Sequence, residues 1–111
     1  MNRDTCIRAL ARQLGKEYRV TVIDLEPVVY RDFGNGFNVE ISGMYTTSKK
    51  KKATLYLWFG EQFNNCVMVK MTEGVRREDI GGEVERLYKF SELMLSRGLD
   101  SVEVIRNWKF G

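Results

Sequence analysis

The chain has 111 residues, 43% hydrophobic, 12% aromatic and 30% charged, which is the composition of one globular domain over 1–111 and not of a disordered chain. It contains no histidine and two cysteines, Cys6 and Cys66, so Ser-His-Asp and Cys-His catalysis, histidine-bearing zinc sites and four-cysteine zinc sites are excluded. The net charge is +3, but without Lys49, Lys50, Lys51 and Lys52 the acids outnumber the bases by one, so the basic character sits in one short run.

Residues 4–17 predict a helix, with Ile7, Leu10, Ala11 and Leu14 at helical spacing, Asp4 or Thr5 as cap and Gly15 weakening the last turn. Arg8, Arg12 and Lys16 stand four apart on its other face and read as a solvated stripe, with Asp4–Arg8 as an i,i+4 pair. Residues 18–33 predict extended structure bent at Pro27. Gly34-Asn35-Gly36 is a turn signal, because Gly and Asn accept positive φ, and it predicts a hairpin of 28–33 with 37–42. Residues 46–52 form a polar loop tip, 53–59 a strand, 60–65 a turn and 66–71 a further strand. Such short connections imply an antiparallel meander. Residues 78–97 predict the main helix, stopped at Arg97-Gly98. In the tail, Val102-Glu103-Val104-Ile105 favours a strand by composition, while Asp100 with Glu103 resembles a capping box that would start a short helix; the strand is the expectation. Trp108 and Phe110 require the tail to dock.

These elements predict an α+β two-layer sandwich, with an antiparallel sheet of four to five strands and two helices packed on one face, in the order α-β-β-β-β-α-tail. The period of two sends Phe37, Val39, Ile41, Leu55, Leu57, Phe59, Val67, Val69 and Met71 inward. Asn38, Glu40, Ser42, Thr54, Tyr56, Trp58, Cys66, Met68 and Lys70 then face outward. That set is polar except for Tyr56, Trp58 and Met68, and an apolar patch on an otherwise solvated face points to binding. The order helix, three strands, helix is similar to that of double-stranded-RNA-binding domains. Those domains open the second helix with lysines, whereas here it opens Arg76-Arg77-Glu78-Asp79-Ile80-Gly81-Gly82, and the resemblance implies no site residue.

The candidate binding surface is therefore Tyr56, Trp58, Met68 and Lys70 with Lys49, Lys50, Lys51 and Lys52. As a protein-interaction or self-association surface it would use the aromatic and methionine side chains as its centre. As a nucleic-acid surface it would stack bases on Tyr56 and Trp58 and follow phosphates with the lysines. A third arrangement lays the tail across this face and buries both rings. Asp24, Glu26, Asp32 and Glu40 are the carboxylates available for acid–base or cation chemistry, but no P-loop, GxGxxG or GxSxG motif accompanies them, and no enzyme activity, cofactor or metal is expected. Cys6 reads as a small packed residue. With no long apolar run and no signal-like N-terminus, the expectation is a cytoplasmic binding or regulatory module without membrane contact.

Overall fold

The β-branched and aromatic runs form five strands: β1 (Arg19–Ile23), β2 (Glu26–Asp32), β3 (Phe37–Ser42), β4 (Ala53–Gly60) and β5 (Cys66–Val75). The structure is a computed structural model and describes residues 3–44, 50–61 and 64–110. Lys49 and the Asp4 side chain, both named above, lie outside the described residues. The strands pair in chain order, each antiparallel to the next. Helices α1 (Arg3–Leu14), α2 (Ile80–Ser96) and α3 (Val102–Phe110) complete the α+β fold. Five strands and a third helix carry the chain beyond the order shared with double-stranded-RNA-binding domains.

One face of the sheet holds the core. Val29, Phe37, Val39, Ile41, Leu55 and Leu57 pack there against Ile7 and Leu10 of α1, Val84 and Leu87 of α2 and Ile105 of α3. The inward set assigned from the period of two is buried on β3 and β4, with Phe59 partly buried and set edge-to-face on Phe37 at 4.8 Å between ring centroids.

The tail is a helix where a strand was expected. Ser101, one position after Asp100, supplies the cap: its Oγ accepts the Val104 N–H at 3.2 Å. The segment needs only one buried stripe, Ile105 with Val102 beside it, and a helix provides that while leaving Arg106 and Lys109 free to reach sideways.

The bend expected at Pro27 occurs earlier. Asp24 and Leu25 have φ of 51° and 66°, the left-handed pair of a two-residue hairpin turn that closes Ile23 on Glu26. Closing on that pair makes Val22↔Pro27 a pair without mutual hydrogen bonds. The missing N–H of Pro27 therefore costs β1 nothing, and the proline stays inside β2.

A second correction concerns β5. Trp58 pairs with Met68, but Leu57 pairs with Lys70, so one extra residue is inserted at Val69. Beyond this bulge the alternation inverts. Met71 stands opposite Tyr56 and is 44% exposed, where an inward position was expected. Lys70 stands opposite Leu57 on the helix side, its ammonium 5.1 Å from the Phe90 ring centroid of α2, where an outward position was expected.

The turn between β2 and β3 is tied to α2. Gly34 and Gly36 both have positive φ, and the Asn35 side chain between them donates to Ser91 Oγ at 3.0 Å and accepts the Phe37 N–H. The last residues of α2 close with Gly98 at φ 79° and a hydrogen bond from Leu99 N–H to Met94 O, as the Arg97-Gly98 signal predicts.

Candidate functional site

The register sets out the outer face as rows running across the sheet. One row is Arg19–Tyr30–Glu40–Tyr56–Met71, and the next is Asp32–Asn38–Trp58–Met68. The buried residues of all three helices belong to the opposite face, so α3 does not lie over Tyr56 and Trp58. Both rings are half-buried, 6.5 Å apart between centroids and tilted by 34°. Met68, also half-buried, lies across from Trp58, and Met71 across from Tyr56.

At the centre sits Glu40, only 6% exposed because β3 is the middle strand and Tyr30 and Tyr56 flank it on either side. Its Oε1 accepts a hydrogen bond from Trp58 Nε1 at 3.2 Å, so the carboxylate orients the indole. Burial raises the Glu40 carboxyl above the ordinary range; the Trp58 hydrogen bond opposes this, and the charges of Glu26 and Asp24 add to it. The Tyr56 phenol is also raised, first by burial and then by Glu40, Glu26 and Glu73. Tyr30 is raised by burial and Asp32, against the lowering effect of Arg19, whose guanidinium lies 4.7 Å from the Tyr30 centroid.

The other carboxylates of this face have local work. Glu26 accepts from Ser42 Oγ (3.0 Å) and from the Gly43 N–H (3.1 Å). Asp32 accepts the Gly34 N–H at 2.8 Å and shapes the turn. Asn38 donates to Gly60 O at 3.0 Å. Among the described residues no three metal-type ligands converge.

The structure therefore brings Tyr56, Trp58 and Met68 together and separates them from the lysines. Lys70 is on the opposite face. Lys50 and Lys52 are exposed near the start of β4, Lys51 runs beside Gly43, and Lys52 lines a groove with Glu78, Asp79 and Glu83. Trp58 lies six residues further along, about 20 Å at the rise of a strand. Met71 is the member of the patch that alternation alone missed. Cys6 is buried and Cys66 half-buried, both as free thiols. Among the described residues no helix is long and apolar enough to cross a membrane. Comparison with known protein families, curated proteins and solved structures found no match to this chain.

Proposed function

We propose that this protein is a small binding module whose partner is another protein, docked on the outer face of β4 and β5. The observation that carries the reading is the cluster of Tyr56, Trp58, Met68 and Met71 around a buried carboxylate, on the face that the helices leave open. Aromatic and methionine side chains with a polar surround are what the centre of an interface uses. The partner that fits is an apolar surface carrying a cation aimed at Glu40. A symmetric contact between two copies through this face would set Glu40 against Glu40, which weighs against that form of self-association. Nucleic acid is the weaker reading, because Glu40, Asp32 and Glu73 share the face with the rings and the lysines do not.

The test uses Trp108→Phe, which leaves Trp58 as the reporter tryptophan. Oligonucleotide at low salt should leave its emission unchanged, and affinity capture should retain a protein that Trp58→Ala and Met68→Asp variants, folded by circular dichroism, fail to retain. Salt-sensitive oligonucleotide binding that disappears with Trp58→Ala would overturn the reading.

A further inference from the structure

β1 is an outer strand of the sheet, and among the described residues no strand pairs with its second edge. Between that edge and α1 runs an open groove of about 770 Å3. Arg8 and Arg12, on successive turns of α1, and Lys16, in the turn just past its end, line it together with Arg19, Val20 and Val22 of β1. Among the described residues the lining includes no carboxylate, and Glu17 sits beside Gly15 at one end. Val22 is 57% exposed on this side. Because the two-residue turn makes Ile23↔Glu26, Thr21↔Val28 and Arg19↔Tyr30 the hydrogen-bonded pairs, Val20 and Val22 direct their N–H and C=O groups away from β2, into the groove.

We propose that this groove captures an acidic, extended peptide segment as an added antiparallel strand along β1. The edge supplies main-chain donors and acceptors, and the helix supplies the charge. The spacings agree. Cations four residues apart on a helix recur every ~6 Å along its axis, and side chains on one face of a strand recur every ~6.6 Å. A segment with carboxylates at every second position therefore meets Arg8 and Arg12 in turn, with Lys16 a further cation just past the helix end. The chemistry favours peptide over nucleic acid, since a sugar–phosphate chain has no groups in register with the Val20 and Val22 amides. A separate observation lies at the end of the same hairpin: Leu25 is 94% exposed and held at positive φ, a conformation costly for a side chain of this kind, so the edge ends in an offered apolar contact.

The experiment is fluorescence anisotropy of labelled Glu-Val-Glu-Val-Glu-Val-Glu with the whole chain. Saturable, salt-sensitive binding is expected, weakened at least about tenfold by Arg8→Glu with Arg12→Glu. Residues directly opposite Val20 and Val22 share their face and aim their N–H groups at β1. N-methylation of the peptide's glutamates should therefore abolish binding, while N-methylation of its valines should leave it intact; this arm needs no variant of the protein. Trp58→Ala should bind as the parent does, which separates this groove from the outer face. The proposal is overturned by absence of binding at about 1 mM peptide, by equal binding of the two methylated peptides, or by an oligothymidylate that binds more tightly and loses affinity in the charge-reversed variant.

Discussion

The sheet has two edges, and they are treated in opposite ways. The β5 edge is lined by α3, whose Arg106 and Lys109 donate to the carbonyls of Cys66 and Met68 while Ile105 is anchored in the core. The β1 edge has its outward amides beside an open groove, with cations arrayed along the facing helix. An exposed edge invites pairing with other chains, and covering it or charging it are the two remedies. This molecule applies one remedy at each end, and the charged end is the one that stays accessible to a selected strand.

The sharpest way to break this contrast is to loosen the cover. Ile105 is fully buried, and Ile105→Ala should lower stability in urea denaturation by about 2–4 kcal/mol; a loss below about 1 kcal/mol would mean that α3 does not seal its edge. Next in size is Gly60→Ala, at the turn that sets β5 against β4. Gly60 has φ 103°, and an added Cβ would stand 2.2 Å from Asn65 O, so a loss of at least about 2 kcal/mol is expected. At the open edge the sign reverses. Leu25→Gly relieves left-handed strain and should raise stability by about 1 kcal/mol; a loss would show that the leucine packs on something in the free protein. The double change Arg106→Ala with Lys109→Ala should cost about 1 kcal/mol or less, since the first bond is exposed, the second only part-buried, and both exchange for bonds to water. It should accelerate amide exchange in β5, while Val20 and Val22 exchange fast in the parent already.

The face between the edges gives a pH-dependent effect. The Glu40 carboxyl is raised in the folded chain, chiefly by burial, so the folded state holds its proton more tightly than the unfolded state does. Its contribution is full below the ordinary carboxylate range and is lost as pH rises through that range to the raised folded value. Glu40→Gln keeps an acceptor for Trp58 and removes the buried charge. It should flatten this part of the stability profile and stabilise the chain at neutral pH. An unchanged slope in denaturation across the acidic range would show that Glu40 is not the group responsible.

The meander, the inner face of β3 and β4 and the apolar stripe of α2 were legible because each follows from side-chain period and short connections. What escaped depends on single residues whose effect is geometric. The β1–β2 turn uses Asp24 and Leu25, and a leucine gives no sign of positive φ, while Pro27 drew the bend toward itself. The tail turned on whether Ser101 or the β-branched run would prevail, and docking of Ile105 decided it. Of the candidate surface, Tyr56, Trp58 and Met68 came from alternation alone. Lys70 and Met71 were misplaced because no residue type marks the extra position at Val69. Arg8 and Arg12 were visible as a stripe on α1, but only the strand order shows that the stripe overlooks an open edge.

That extra position has an engineering consequence. Removing Val69 would not turn the strand over: with that residue gone, plain alternation from Val67 and Met68 still sets Lys70 opposite Leu57 on the helix side and Met71 opposite Tyr56 beside the rings. A one-codon deletion would thereby straighten β5 and remove one buried valine, while the greasy, acid-centred surface around Glu40 keeps Met71 and gains no counter-ion.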